Sequence, residues 1–169
     1  MKNILNLLKS FEKFKSDNPS NKKLVLIGRL AWKYDDILSY HYKMMHKNDV
    51  IFRPHSPPEK ISQWMASSIA LIMVSIYEGF GVPIVEAMAS GVPVICSNVS
   101  SMPEVAESAA IQVSPNNVNE ISNAMKTIST DNKVMKQLIE DGKSQVKKYT
   151  WDSAADIIWN ELESLIREV

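Results

Sequence analysis

The sequence predicts an α/β fold, a Rossmann-like parallel sheet with helices on both faces. Apolar runs of strand length, LVLIG, IALIMVS, VPVIC and AAIQV, alternate with stretches whose apolar residues recur at helical spacing. The run IALIMVS is apolar on both parities, as expected of a strand covered on both faces. Helix-length crossovers between successive strands require parallel pairing.

Taken in chain order, Ile4, Leu8 and Phe11, with Leu7 and Phe14 alongside, predict a first helix, and SDNPSN breaks it before the strand at 24–28. A helical stretch over 34–46 and a short strand at 50–52 follow. Pro57 and Pro58 open a helix that runs through Trp64 and leads to the strand at 69–75. After the turn YEGFG comes a helix over 83–90, with Gly91 suited to its left-handed cap. The strand VPVIC, a short helix after Pro103 and the strand AAIQV complete the alternation. Three helical stretches begin near Asn117, Asp131 and Trp151. Trp151 and Trp159 fall on one helical face and read as core. With no repeat, linker or low-complexity segment, residues 1–169 form one domain.

Composition narrows the function classes. Lys plus Arg equals Asp plus Glu at 19 each, so no global field holds nucleic acid, and a phosphate must be bound by local arrangement. The single cysteine, Cys96, lies in an apolar run and reads as a buried thiol in a reducing, cytoplasmic compartment. His41, His46 and His55 lack partners at ligand spacing, so no metal site is expected. No apolar run reaches membrane-spanning length. Lys143, Lys147 and Lys148 form a basic cluster that a solvated helix face explains.

In parallel sheets of this kind, ligands bind where the loops at the carboxyl ends of the strands gather. The stretch YEGFGVPIVEAMASGVPVICSN occupies such a place. Gly79 and Gly81 permit unusual backbone angles and close approach of a bulky group, and Pro83 suits a first helical position. Free amides of the turn, with those of Ile84 and Val85, are then a candidate phosphate cradle. Glu86 lies one turn into the helix, where its carboxylate can lean back toward the cavity and accept bonds from two ribose hydroxyls. The helix dipole alone is an equal reason for an acid there, worth about 0.3–1 kcal/mol. Glu78 equally serves to solvate a loop, and Phe80 to pack. Composition and spacing leave both readings standing.

The segment YEGFGVPIVEAMASGVPVICSNVSSMPEVAESAAIQVSP resembles the donor-binding, carboxyl-terminal half of the retaining group 1 (family 4) glycosyltransferases of GT-B architecture. Their signature, two glutamates separated by seven residues with Gly-Phe-Gly and Pro between, is matched by Glu78, Gly79, Phe80, Gly81, Pro83 and Glu86. KNILNLLKSF, GRLAWK, SNVSSMPEV and KKYTWDSAA also have counterparts, so the resemblance covers nearly the whole chain.

The resemblance implies a nucleoside diphosphate sugar as donor and no cofactor or metal. It places Glu86 on the ribose and Glu78 beside the donor sugar, where it holds hydroxyls and favours an oxocarbenium-like transition state. It sets the amides of Gly79, Phe80, Gly81 and Val82 against sugar and diphosphate, and Lys2 on the departing diphosphate. Arg29, His55 and Ser56 are candidates for base or phosphate contacts. Pro54-His55-Ser56 departs from the family's Gly-Tyr-Val pattern, and Val74 stands where many members have proline. An amino-terminal acceptor domain, and an opening strand at the centre of the sheet, are expected ahead of Met1, which leaves the fragment alone inactive. The implied role is hexosyl transfer to a polysaccharide or glycoconjugate of the cell envelope, in the cytoplasm or at the inner face of the membrane, with peripheral membrane association open to the full enzyme. A nonenzymatic nucleotide- or protein-binding module of the same descent is the competing reading. A dinucleotide-dependent oxidoreductase is disfavoured, because no Gly-x-Gly-x-x-Gly follows a strand.

Overall fold

A computed structural model describes residues 2–28 and 34–167. Helices and strands alternate: α1 Ile4–Asp17, β1 Leu24–Ile27, α2 Tyr34–Lys43, β2 Val50–Arg53, α3 Pro58–Ala66, β3 Leu71–Met73, α4 Val82–Ala89, β4 Val94–Ser97, α5 Met102–Ala106 and β5 Ala110–Val113. Three helices close the chain: α6 Val118–Thr130, α7 Asn132–Gln145 and α8 Trp151–Arg167.

All pairing among the described residues is parallel, as the alternation predicts. The strands form two ladders, β1–β2 and β3–β4–β5. No hydrogen-bonded register joins β1 to β3. Together they wall a cleft of about 390 Å³, with α1 and α6 contributing Phe11, Phe14 and Met125, and α3 contributing Trp64.

β4 carries the core because it is buried along its whole length. Alternation sends Ile95 to a cluster with Leu8 and Phe11 of α1 and Ile121 and Met125 of α6. Val94 and Cys96 go to a second cluster with Ile84 and Met88 of α4 and Met102 and Val105 of α5. Helices thus cover both faces of this ladder. Burial also pushes the Cys96 thiol up to about 12, so it is inert packing at neutral pH. At the far side Gly142 of α7 meets α4 so closely that an added Cβ would lie 3.1 Å from a side-chain carbon of Met88. Gly91 takes φ 68 after α4, the left-handed cap expected of it.

α1 ties the two ladders together. Its Lys15 is buried and meets Asp49, just ahead of β2, at 2.8 Å, while also donating to the carbonyls of Ser20 and Lys22. The Lys15 hydrogen bond is the main cause that holds the Asp49 carboxyl below its usual range. At the other end Asn3 and Asn6 both donate to the carbonyl of Pro115, just past β5.

Two expectations are corrected. The run at 69–75 is regular only over Leu71–Met73, and Ile69 is exposed with Ala70, Leu71 and Ile72 half-buried, because the cleft opens beside them. Trp151 and Trp159 are not core: they are 92% and 63% exposed, and Ile158, Leu162 and Leu165 of α8 are exposed with them. The apolar stripe of α8 exists as the spacing requires, but none of these side chains is buried by the described residues.

Candidate functional site

The turn between β3 and α4 is built on β3 and β4 and pinned from the following loop. Ser97, at the end of β4, donates to the carbonyl of Ser75 at 2.6 Å. Ser100 donates to the carbonyl of Glu78 at 2.7 Å and accepts from its amide at 3.2 Å. The Ser101 hydroxyl lies 3.0 Å from the carbonyl of Glu78 and 2.9 Å from that of Phe80, sharing its proton between them. Ser100 holds φ 61, an uncommon angle for a residue with a Cβ. Its two bonds to Glu78 account for the conformation. Phe80 is 43% exposed, with one edge of its ring set against Tyr149 at 5.5 Å between centroids.

With its carbonyls so occupied, the turn leaves its donors open. Among the described residues, the amides of Gly79, Phe80, Gly81 and Val82 donate to no protein atom. They precede and enter the first turn of α4, where helical amides lack partners and the dipole favours an anion. The expected contribution of Ile84 is corrected, because its amide donates to the carbonyl of Gly81 at 2.8 Å and is closed to a ligand. α4 begins at Val82, one residue earlier than the sequence implied, so Pro83 takes the second position, where its missing donor costs nothing.

The two glycines are not equivalent. Gly81 sits at φ 108, and an added Cβ would lie 3.2 Å from the Ile84 side chain, so glycine is required there. Gly79 has no positive φ, and nothing lies within 4 Å of its would-be Cβ. Its value is space for something to approach the main chain.

Lys2 and Glu78, which the resemblance assigned to different parts of the donor, form an ion pair: the ammonium lies 2.8 Å from Oε1 of the carboxylate. Burial pushes the Glu78 carboxyl up, but hydrogen bonds from Lys2 and Ser75 and the charge of Lys2 together hold it below its usual value of 4.5. Glu78 is therefore ionised at neutral pH, with Lys2 fixed at its side by the docking of α1 on Pro115. Glu86 is exposed on α4, and its carboxylate has no partner among the described residues. Its backbone carbonyl accepts from Ser90. Val82 is 55% exposed.

The remaining candidates are not gathered here. His55 is exposed beyond the end of β2, and Ser56 donates to the carbonyl of Pro54 at 3.2 Å, a bond internal to that loop. This loop belongs to the ladder across the cleft from β3. Arg29 lies outside the described residues. Among the described residues no cluster of His, Cys, Asp and Glu is arranged to hold a metal ion, and no helix is long and apolar enough to cross a membrane. Of the basic cluster, Lys148 pairs with Glu107 at 2.8 Å.

Sequence reading missed the serines that hold the turn. Ser75, Ser97, Ser100 and Ser101 act across about 20 positions of chain, so no local spacing marks them. The signal that existed was the density of hydroxyls in SNVSS directly after a fully buried strand.

Fold and site define a Rossmann-like half domain whose carboxyl-edge turn presents open amides between two carboxylates. The chain belongs to the family described as "Glycosyl transferases group 1", which matches residues 1–145. The O-antigen chain mannosyltransferase B of Escherichia coli is 31% identical over 152 residues, 90% of this chain and 40% of that protein. The MMP alpha-(1->4)-mannosyltransferase of Mycolicibacterium hassiacum is 32% identical over 101 residues, 57% of this chain and 25% of the relative. The chain thus spans less than half the length of these relatives.

Solved structures agree on the fold. A sucrose-phosphate synthase from Thermosynechococcus elongatus superposes with a TM-score of 0.81 at 22% identity, covering 96% of this chain and 43% of that one. The C-terminal domain of a glycosyl transferase group 1 family protein from Francisella tularensis gives 0.76 at 21% identity, with 87% and 78% covered.

Proposed function

We propose that residues 1–169 are the donor-binding half of a retaining glycosyltransferase, which moves a hexosyl unit from a nucleoside diphosphate sugar to a polysaccharide or glycoconjugate of the cell envelope. The observation that carries this reading is the run of open amides at Gly79, Phe80, Gly81 and Val82, flanked by Glu78 with its Lys2 and by the unpartnered Glu86. These groups match the parts of such a donor in kind and in order.

The amides and the start of α4 receive the diphosphate. The free carboxylate of Glu86 accepts from the two ribose hydroxyls. Lys2 neutralises the charge that builds on the diphosphate as the glycosidic bond breaks, so the departing group needs no metal. Glu78, ionised beside the sugar, holds its hydroxyls and stabilises positive charge developing at the anomeric carbon. The acceptor site belongs to a further domain, and these residues alone bind donor without turnover. The O-antigen chain in the printed name of the Escherichia coli relative supports an envelope polysaccharide as product.

Calorimetric titration with uridine, guanosine and adenosine diphosphates and their sugar conjugates, with and without a chelator, tests the reading. Binding that survives chelation and falls with Glu86→Ala supports it and names the base. Affinity untouched by Glu86→Ala removes the ribose role. The break in the sheet beside the turn favours one alternative, a binding module with the family's sequence and no turnover. Sugar transfer after the acceptor domain is added excludes it.

A further inference from the structure

Of the open amides of the turn, those of Gly79, Gly81 and Val82 have their direction set by a hydrogen bond to the carbonyl before them. A trans peptide unit is planar, so holding the carbonyl of one residue also aims the N–H of the next. Ser100 and Ser101 hold the carbonyl of Glu78 and so aim the Gly79 amide. Ser101 holds the carbonyl of Phe80 at 2.9 Å and so aims the Gly81 amide. The Ile84 amide holds the carbonyl of Gly81 at 2.8 Å and so aims that of Val82. The Phe80 amide differs. It shares a peptide unit with the carbonyl of Gly79, which accepts no hydrogen bond among the described residues. Nothing lies within 4 Å of the would-be Cβ of Gly79, so neither bonding nor crowding there keeps the unit from turning.

The Phe80 ring supplies what the hydrogen bonds leave out. With the ring and the carbonyl of Phe80 both held, tetrahedral geometry at its Cα leaves the nitrogen one position, and the preceding peptide unit one rotation. Tyr149 holds that ring edge to face, with the centroids 5.5 Å apart and the planes at 84°. Tyr149 is itself anchored. Its hydroxyl lies 3.3 Å from the carbonyls of both Glu104 and Val105, its amide donates to the carbonyl of Val146 at 3.0 Å, and its ring packs on the cluster of α4 and α5. The buried Gln145 donates to the same Val105 carbonyl at 3.1 Å. α5 thus grips Phe80 twice, on the carbonyl through Ser101 just ahead of it and on the ring through Tyr149. The Phe80 ring is too exposed for core burial to hold it, and Tyr149 lies past residue 145, where the family match ends.

We propose that Tyr149 is a positioning residue: its ring, through Phe80, aims the amide of the turn that no hydrogen bond orients. That this amide receives the donor diphosphate rests on the transferase reading.

The test is backbone amide NMR relaxation of the full chain, with titration of uridine, guanosine and adenosine diphosphates on the same samples. In Tyr149→Ala the order parameter of the Phe80 N–H should fall from about 0.85 to below about 0.6, while those of Gly79, Gly81 and Val82 stay near the rigid value. Affinity for the diphosphate that binds should fall roughly fivefold, the scale of one aromatic pair. Tyr149→Phe keeps the ring edge, and should keep the order and hold affinity within about twofold. Phe80→Ala removes the contact from its exposed side and should loosen the same amide, which covers a Tyr149→Ala variant that folds poorly. An ordered amide at position 80 in both alanine variants overturns the proposal. So does equal loosening of all the turn amides in Tyr149→Ala, which makes Tyr149 a general support, and so does a loss in Tyr149→Phe as large as in Tyr149→Ala, which moves the cause to the hydroxyl. Affinity unmoved while the amide is loosened overturns its part in the site. Nucleotide binding by the unsubstituted chain is read separately: none at all, with the Phe80 amide loosened by Tyr149→Ala, sinks the transferase reading and leaves the positioning role standing.

Discussion

β1 and β4 are both four-residue strands rich in branched apolar residues, yet every residue of β4 is buried, while Val25, Leu26 and Ile27 of β1 stay half-buried. The difference lies in neighbours. β4 has a strand on each side and a helical layer on each face, and β1 has one strand and an open cleft. Side chains of central-strand type are thus left half-covered beside the cleft, and the turn carrying Glu78 and Glu86 follows β3, which shares that open edge but pairs with the fully buried β4. The site is held through the serine bonds from the loop after β4.

The comparison can be broken most forcefully by cutting into each ladder. Ile95→Ala on β4 should cost about 2–5 kcal/mol by urea denaturation, because the deleted atoms leave a cavity among packed neighbours. Ile27→Ala, beside the cleft, should cost less than about 1.5 kcal/mol, since much less apolar area is lost from cover. Equal costs would mean that the cleft is closed in solution. Next in size, Glu86→Ala should weaken nucleotide-sugar binding by roughly tenfold or more, the scale of hydrogen bonds to a charged group, with an unchanged unfolding midpoint.

Ser101→Ala tests whether the turn depends on the loop after β4. It should cost about 1 kcal/mol and speed amide exchange between residues 78 and 82. Unchanged exchange would assign the rigidity of the turn to Ser100 and Gly81 alone. The Lys2–Glu78 pair gives a pH test with a definite sign. The folded carboxyl titrates below its usual 4.5, so its contribution to stability is complete above that value and is lost as pH falls through the folded value. Lys2→Ala should raise the titration of the Glu78 carboxyl carbon followed by NMR, and a curve unmoved by the substitution would place the cause with Ser75. Trp151→Ala should have the smallest effect, no measurable shift in the urea midpoint, because the ring is 92% exposed. A clear loss would mean that α8 packs where the structure leaves it bare.

Legibility in the sequence followed the range of the interactions. The strand–helix alternation was readable because periodicity is local, and the Glu78-to-Glu86 turn because glycine and proline mark it. The ion pair of Lys2 with Glu78 was not read, since 76 positions separate them and the resemblance gave each a separate role. α8 was read correctly as a helix and wrongly as core, because an apolar stripe has the same spacing whether it faces its own domain or another body. Gly79 and Gly81 looked alike as letters, and only backbone angles separate the required glycine from the merely spacious one. The closed amide of Ile84 depends on a single bond at the start of α4 that no pattern announces.

Ser100 places stability and use in opposition. A residue with a Cβ held at φ 61 spends roughly 1 kcal/mol that glycine would not, and its hydroxyl returns this as two bonds to Glu78. Selection for a robust fold alone would let glycine drift into this position, at little thermal loss and with a looser turn. What serine adds over glycine is a fixed backbone at Glu78, from which the carboxylate projects. A library screened first for heat resistance and then for donor affinity would pull this one codon in two directions, and the residue it settles on would report which pressure governs the turn.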